Sequence, residues 1–259
     1  MFTTINGTAV HYEMYGEGGS NVLLLHGWGC DISLMKPVAD ALIKDHRVLI
    51  LDFPGHGESG RPPEPWGVPE YADTVLALLR ETSFTPCSVI AHSFGCRVAA
   101  WIASGHPDAF RRIVFTGAAG IRPRPSEEAK KRQETYKKLK SRAESLRKIP
   151  FLRSAADSME ERLRRKYGSR DYNALDPEMR KTFVKVISQD LTDCYEHIQQ
   201  STLLIWGDGD TETPLWMAKE MEKRIPDCGL VLFEGGTHFA YLEQLSRFNL
   251  IVSGFLKEA

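Results

Sequence analysis

Short, continuously apolar segments alternate along this chain with longer segments of helical periodicity. Each apolar segment is too short for a helix and lacks the polar alternation of a one-sided sheet, which predicts strands covered on both faces. Strands that alternate with helices favour right-handed crossovers and a mostly parallel α/β sheet flanked by helices. The predicted strands are 22–25, 48–51, 88–91, 113–116, 203–206 and 230–233, and the predicted helices are 34–44, 69–81, 94–104, 214–224 and 241–256.

A hairpin pattern precedes the first of these strands. Two extended segments, 1–5 and 9–15, flank the dipeptide Asn6-Gly7. That dipeptide suits the two positive φ angles of a type I′ turn, so the sequence predicts a β-hairpin.

The alternation is interrupted between residues 120 and 198, where helical patterns follow one another without a strand. A first helix is predicted over 126–148. A second is predicted to begin at Ser158, with Glu161 as its capping-box partner, and to end near Gly168. A third has Asp176 as its cap, with proline at the first helical position.

The length of 259 residues fits one domain with an insertion better than two independent domains. We therefore expect an α/β core made of residues 1–119 and 199–259, and an all-helical insertion, 120–198, that caps it. Because the carboxyl ends of parallel strands carry the functional loops in such folds, those turns are the first place to look for chemistry.

The formal net charge of −1 conceals an uneven distribution. Residues 122–170 contain 17 Lys or Arg and 7 Asp or Glu, a local charge of +10 that leaves −11 for the rest of the chain. The near-neutral total argues against nucleic acid as a partner. Two interpretations of the basic stretch stay open: a solvated outer face of exposed helices, or a docking patch for an acidic partner.

The cysteines and apolar runs exclude further classes. The five cysteines are odd in number and form no CxxC pair, which argues against a disulfide framework and a zinc site. No apolar run reaches the roughly 18 residues of a membrane-spanning helix, and no signal-peptide pattern is present. We expect a cytoplasmic protein with no membrane span and no bound metal.

The segment Ala91-His92-Ser93-Phe94-Gly95 lies between a predicted strand and a predicted helix. This context suits a nucleophile elbow, in which a sharp turn presents a serine hydroxyl at the edge of the sheet. Small residues are needed two positions before and after the serine, because strand and helix backbones come close there. Alanine and glycine occupy those positions.

A serine hydroxyl attacks efficiently only when a base takes its proton, so a histidine and an orienting carboxylate are required at other strand ends. His238 follows the strand 230–233. Two carboxylates, Asp208 and Asp210, follow the strand 203–206, and both are candidates for the orienting group.

Five motifs in order make the chain resemble the α/β-hydrolase family outside the insertion. They are His26-Gly27-Trp28-Gly29 as the oxyanion loop, Asp52-Phe53-Pro54-Gly55-His56-Gly57-Glu58-Ser59 as the turn after the next strand, Ala91 to Gly95 as the elbow, Trp206-Gly207-Asp208-Gly209-Asp210 with Pro214 as the acid turn, and Gly236-Thr237-His238 as the histidine turn.

The resemblance implies a catalytic triad. Ser93 would be the nucleophile and His238 the general base and then acid. Asp210, favoured over Asp208 by the family spacing, would orient the imidazole.

The resemblance also implies an oxyanion hole and part of a substrate pocket. The backbone N–H groups of Trp28 and Phe94 would hold the oxyanion. The side chains of Trp28, Phe94 and Phe239 would line the substrate pocket. Such a site requires no cofactor.

Other polar residues near these motifs are expected to be structural. His26, His56 and His92 are expected to brace loops or pack beside the elbow. Glu212 and Glu243 are expected to be solvated or to brace a helix.

A serine nucleophile with an oxyanion hole predicts acyl transfer, and we expect a hydrolase of small-molecule carboxylic esters. Three alternatives stay open. The His26-to-Gly29 loop and the basic insertion resemble esterases that demethylate an acyl chain on an acidic carrier protein. Related enzymes cleave a carbon–carbon bond in a dienone acid, and a ligand-sensing receptor would use the same pocket with slow turnover.

Overall fold

The computed structural model describes residues 1–122, 127–168 and 170–257. They fall into two compact units. The first comprises Met1–Ile121 with Val184–Ala259, and the second comprises Arg122–Phe183. Residues 184–198, which belong to the predicted insertion, are therefore part of the first unit.

The first unit contains a sheet whose strands are β1 (Phe2–Ile5), β2 (Thr8–Tyr15), β3 (Ser20–Leu25), β4 (His46–Leu51), β5 (Cys87–His92), β6 (Phe110–Thr116), β7 (Ser201–Gly207) and β8 (Cys228–Phe233). Among the described residues these eight strands form one sheet in the order β1-β2-β4-β3-β5-β6-β7-β8. β2 pairs antiparallel with both β1 and β4, and every other neighbouring pair is parallel. The predicted, mostly parallel α/β sheet is confirmed.

The helices of the two units correspond to the predicted ones, apart from two short helices over 170–174 and 192–196 that were not predicted. They are α1 (Ile32–Leu42), α2 (Val68–Glu81), α3 (Phe94–Gly105), α4 (Glu127–Arg147), α5 (Arg153–Tyr167), α6 (Arg170–Ala174), α7 (Pro177–Ser188), α8 (Thr192–Glu196), α9 (Leu215–Arg224), α10 (Ala240–Glu243) and α11 (Leu245–Lys257). The single helix predicted over 241–256 is divided at Gln244, which has a non-helical ψ of 44°.

The predicted start of the second inserted helix was wrong. α5 begins at Arg153, because a 3-10 turn over Pro150–Leu152 leads directly into it and places Ser158 in the helix interior. Its predicted end is confirmed, since the N–H of Gly168 donates to the Arg164 carbonyl at 2.8 Å. The predicted first residue of α4, Ser126, lies outside the described residues.

Two predicted caps and turns are confirmed by backbone geometry. Asn6 and Gly7 have φ angles of 50° and 75°, as a type I′ turn requires. Asp176 Oδ1 accepts the N–H groups of Glu178 at 3.0 Å and Met179 at 3.1 Å, which caps α7.

Apolar side chains cover both faces of the sheet. Along β3, Leu23 and Leu25 pack in one layer with α2 and α3, whereas Val22 and Leu24 pack in the other with α1 and α11. The prediction of burial on both faces fails for β8, where Leu232 is 41% exposed, because β8 is an edge strand.

The strand order reverses at β3, and this reversal locates the site. The chain passes from β3 to β4 on one side of β3 and then returns to β5 on the other side. Loops that leave the carboxyl ends of β3 and β5 therefore diverge and leave a crevice between them. Gly27 and Trp28 follow β3, and Ser93 follows β5.

The second unit contains α4 and α5, which pack together as a helical hairpin. Ala143, Ala156 and Leu163 are buried in it. Arg147 contacts Asp157 and Glu160 of α5, each at 2.6 Å. None of the helices that the structure describes is both long and apolar enough to cross a bilayer.

Candidate active site

Ser93 occupies a strained turn between β5 and α3. Its φ of 49° and ψ of −105° lie outside the regions that non-glycine residues ordinarily adopt. Three backbone hydrogen bonds hold the turn. The Ser93 N–H donates to the Thr116 carbonyl at 3.1 Å, and the Ser93 carbonyl accepts the N–H groups of Cys96 at 3.1 Å and Ala119 at 3.4 Å. Backbone strain of this kind persists only where the surrounding structure enforces it. The Ser93 side chain is partly exposed in this turn.

Two glycines, Gly95 in α3 and Gly27 in the loop after β3, allow neighbouring segments to pack closely around Ser93. A Cβ at Gly95 would lie 2.5 Å from the carbonyl oxygen of Leu25, so α3 can start here only without a side chain. A Cβ at Gly27 would lie 2.8 Å from His92 Nδ1 and 3.4 Å from Ser93 Cβ. The loop after β3 therefore lies directly against the serine turn.

His238 and Asp210 form a buried pair beyond β8 and β7. His238 Nδ1 lies 2.8 Å from Asp210 Oδ2, and the Asp210 side chain has no solvent exposure. Asp210 Oδ2 also accepts the Thr213 hydroxyl at 2.7 Å, and Oδ1 accepts the N–H groups of Glu212 and Thr213, both at 2.9 Å. A carboxylate with this many donors is held in one orientation.

Asp210 is ionised in this environment. Burial alone would raise the pKa of its carboxyl group, but the hydrogen bonds from His238 and Thr213 outweigh burial and hold that pKa below its ordinary value. Because the carboxylate only accepts, Nδ1 of His238 is the donor in this contact. In the neutral form of the imidazole, that leaves Nε2 as the acceptor.

The two candidate carboxylates have different partners. Asp210 contacts His238, whereas Asp208 Oδ1 accepts the N–H of Gly235 at 2.8 Å and braces the turn after β8. The geometry therefore assigns the histidine contact to Asp210.

His238 Nε2 faces a residue that the sequence did not single out for chemistry. In the part of the chain that the structure describes, no hydrogen bond joins Ser93 Oγ to His238, and Nε2 lies 3.5 Å from Glu212 Oε2. Serine–histidine hydrogen bonds commonly tighten only when substrate is bound. The available signal for Glu212 was its position two residues after Asp210, in the turn that Asp210 caps.

The other predicted site residues lie around the serine turn. Phe94 is the first residue of α3, so its N–H has no partner within the helix. The ring of Trp28 packs edge-on against Phe94, with centroids 5.2 Å apart. Phe239 contacts the rings of His92 and His238, at 5.0 and 5.6 Å.

Three buried imidazoles surround the turn and stay neutral. His26 Nε2 accepts the Phe53 N–H at 3.0 Å, so its Nδ1–H donates to the Gly27 carbonyl at 2.7 Å. Burial lowers the pKa of His26, and it lowers the pKa of both His56 and His92 to about 3. Nearby imidazoles, His26 for His56 and His238 for His92, add to that lowering.

His92 and Glu243 brace the loop that carries His238. His92 Nε2–H donates to the His238 carbonyl at 3.0 Å. Glu243 accepts the N–H of Thr237 at 2.8 Å and its hydroxyl at 2.5 Å. Both act on the backbone next to the imidazole, as the structural interpretation of these residues predicts.

Within the described ranges, no cluster of three or more His, Cys, Asp or Glu side chains could hold a metal ion. The polar groups gathered at this edge of the sheet are a serine, a histidine–aspartate pair and backbone N–H donors. Such a set can perform nucleophilic attack, proton transfer and stabilisation of an anion.

A strained serine turn after a central parallel strand, with a histidine–aspartate pair beyond two later strands, is the architecture of an α/β-class hydrolase. A family model described as "alpha/beta hydrolase fold" matches residues 21–245, and the chain belongs to that family. The resemblance predicted from the five motifs is thereby confirmed.

Relatives of known name differ in their chemistry and in the share of chain they match. A dihydrolipoyllysine-residue acetyltransferase component of the acetoin cleaving system of Pseudomonas putida is 34% identical over 110 residues, 42% of this chain and 30% of that protein. The match thus spans less than a third of that relative's length. A pimeloyl-[acyl-carrier protein] methyl ester esterase of Aeromonas hydrophila is 30% identical over 112 residues, 43% of this chain and 42% of that one.

Other matches, among relatives and among solved structures, extend over nearly the whole chain. A 2-hydroxy-6-oxononadienedioate/2-hydroxy-6-oxononatrienedioate hydrolase of Pseudomonas sp is 26% identical over 268 residues, 97% of this chain and 93% of that one. The crystal structure of the enol-lactonase from Burkholderia xenovorans LB400 superposes with a TM-score of 0.76 at 21% identity and covers 99% of this chain and 100% of that one. At that identity the superposition shows the shared fold.

Proposed function

We propose that this protein is a serine hydrolase that cleaves small-molecule carboxylic esters without a cofactor. Ser93 Oγ attacks the ester carbonyl while His238 Nε2 takes its proton. The imidazolium then delivers that proton to the departing alcohol, and water hydrolyses the acyl-enzyme by the reverse transfer.

The observation that carries the proposal is the buried His238–Asp210 contact of 2.8 Å on the sheet edge where Ser93 sits in a strained turn. Asp210 holds the imidazole in the tautomer that leaves Nε2 free to accept a proton, and it stabilises the imidazolium that forms. A histidine with a purely structural role would not require a buried carboxylate that fixes this tautomer on the sheet edge that carries Ser93.

The oxyanion of the tetrahedral intermediate is assigned to the N–H groups of Phe94 and Trp28. Phe94 supplies an N–H at the start of α3, where the helix dipole also favours negative charge. Gly27 lies against Ser93, so the next residue, Trp28, is also close to the serine turn. The rings of Trp28, Phe94 and Phe239 then offer an apolar lining for the substrate.

The test is labelling and turnover of wild type and Ser93→Ala. We expect a serine-reactive phosphonate to label only the wild type, and Ser93→Ala to lower kcat for p-nitrophenyl esters by at least about 10⁴-fold. Ser104→Ala removes a serine hydroxyl from α3 and is the matched control. We expect it to keep both phosphonate labelling and the wild-type kcat for p-nitrophenyl esters. Undiminished hydrolysis by Ser93→Ala, at equal melting temperature, would refute the assignment.

A second candidate is methyl-ester hydrolysis on an acyl chain held by an acidic carrier protein. It is favoured by the +10 charge of residues 122–170 and by the similarity to the Aeromonas methyl ester esterase. Exposed cations on α4 and α5 include Lys131, Lys137, Lys138, Arg142, Arg162 and Lys166. Salt screens such contacts, so kcat/KM for a carrier-bound ester would fall steeply with ionic strength while that for a neutral ester would not.

Carbon–carbon bond hydrolysis is a third candidate, favoured by the near end-to-end match to the dienedioate hydrolase. Both reactions use the same nucleophile and base. Comparing kcat/KM for a dienone acid with that for a simple ester of similar size separates them.

A further inference from the structure

Glu212 lies between β7 and α9, beside the His–Asp pair. Its N–H donates to Asp210 Oδ1 at 2.9 Å, which fixes its backbone. Its side chain is 61% exposed, and its Oε2 lies 3.5 Å from His238 Nε2. A carboxylate therefore stands in solvent at the reactive nitrogen of the imidazole, on the side opposite to Asp210.

This position places a negative charge next to the departing group. In the proposed mechanism Nε2 delivers its proton to the departing alcohol oxygen, which must come within a hydrogen-bond distance of about 3 Å. Since Glu212 Oε2 is 3.5 Å from the same nitrogen, the alcohol portion of the ester leaves beside the carboxylate.

We propose that Glu212 forms a subsite for a cationic alcohol group, so that the enzyme prefers esters whose alcohol carries an ammonium two carbons from the ester oxygen. That spacing puts the ammonium about 4 Å from the oxygen, within reach of the exposed carboxylate. The inference rests on the proposed ester hydrolysis at Ser93 and names the substrate class of that site.

The same contact disfavours other alcohol groups. When His238 is protonated during the reaction, Glu212 attracts the imidazolium and competes with the departing oxygen for the Nε2 proton. A cationic alcohol group draws the carboxylate to itself and leaves that proton for the oxygen. An anionic alcohol group is repelled at this distance.

The test compares a choline ester with the 3,3-dimethylbutyl ester of the same acid, in which carbon replaces the ammonium nitrogen. The acyl length is first chosen from a p-nitrophenyl ester series, and acid release is followed at constant pH. We expect the wild-type ratio of kcat/KM, cationic over neutral, to fall about fivefold in Glu212→Gln, as befits a partly exposed ion pair. Glu222→Gln, an exposed carboxylate on α9, is the matched control and keeps the wild-type ratio.

Three further outcomes test the subsite and distinguish its failure from failure of the proposed function. The wild-type ratio should fall as salt is raised, because an exposed ion pair is screened. Hydrolysis of both esters with equal kcat/KM, unchanged in Glu212→Gln, overturns the subsite and leaves the esterase intact. Absence of hydrolysis of either ester, together with absence of phosphonate labelling, overturns the proposed function and the subsite with it.

Discussion

At the scale of single residues, neighbouring carboxylates of one turn have separate tasks. Asp210 accepts four hydrogen bonds, one of them from His238, whereas Asp208 accepts the N–H of Gly235. Loss of the Asp210 carboxylate should therefore affect catalysis much more than loss of the Asp208 carboxylate two positions earlier.

We predict that Asp210→Asn lowers kcat for ester hydrolysis by about 10⁴-fold, because an amide in this place no longer enforces the tautomer with the proton on Nδ1. Asp208→Asn should change kcat by less than about tenfold, since an amide oxygen still accepts from Gly235. Steady-state kinetics and melting temperatures of the two variants form a matched pair. Equal losses of kcat in both would contradict the assignment of the orienting carboxylate to Asp210.

Sequence reasoning singled out Ser93, Asp210 and His238 because each follows an apolar strand in a short turn, and parallel strands bring such turns to one edge of the sheet. It did not reach Glu212. The contact of Glu212 with His238 depends on how the turn after β7 folds back on Asp210 and on where the loop between β8 and α10 places His238. Neither of these tertiary features can be predicted from the local sequence pattern. Glu212 was therefore indistinguishable from an ordinary solvent-exposed glutamate.

At the scale of elements, the turn from β5 to α3 depends on the absence of a side chain at Gly95. A Cβ there would lie 2.5 Å from the Leu25 carbonyl oxygen and 2.8 Å from Leu25 Cβ, and backbone atoms of a central strand cannot move aside. The strained φ of Ser93 is thus maintained by the packing of α3 against β3.

We predict that Gly95→Ala lowers the free energy of unfolding by about 1–3 kcal/mol, because the added methyl group overpacks the junction. It should also lower kcat more than it raises KM, since it displaces Ser93, the proposed nucleophile, together with the Phe94 N–H. Urea unfolding and steady-state kinetics measure the two effects. Gly105→Ala at the open end of the same helix, where a Cβ meets nothing within 4 Å, is the control.

Element boundaries were predictable where one residue type dictates the backbone. Asp176 caps α7 and Asn6-Gly7 turns the hairpin as expected. The start of α5 was missed because the capping pattern at Ser158 is local, whereas the turn at Pro150–Leu152 extends the helix backwards. The burial of β8 was overpredicted because strand order, which makes it an edge, follows from tertiary pairing.

At the scale of the whole molecule, the distribution of buried imidazoles couples stability to pH. His26, His56 and His92 lie within the first unit, close to the serine turn, and burial holds each of them neutral. The pKa values of His56 and His92 are about 3 in the folded chain, against an ordinary value of 6.5. Between those values the unfolded chain binds more protons than the folded one, so acid favours unfolding.

We predict that the free energy of unfolding is highest above pH 6.5 and falls as the pH is lowered towards 3. Between pH 7.5 and 5.0, His56 and His92 each contribute about 2 kcal/mol to the loss in the free energy of unfolding. This contribution comes from protonation of the imidazole in the unfolded chain, because pH 5.0 is still far above the folded pKa of about 3. His56→Phe keeps the ring contacts with Trp28 and Phe94 and removes the titrating group, so its loss over this range should be smaller by that amount. Urea unfolding at both pH values, with His106→Phe at an exposed site as the matched control, measures the difference. An identical pH dependence in both variants would show that His56 is not held neutral by burial.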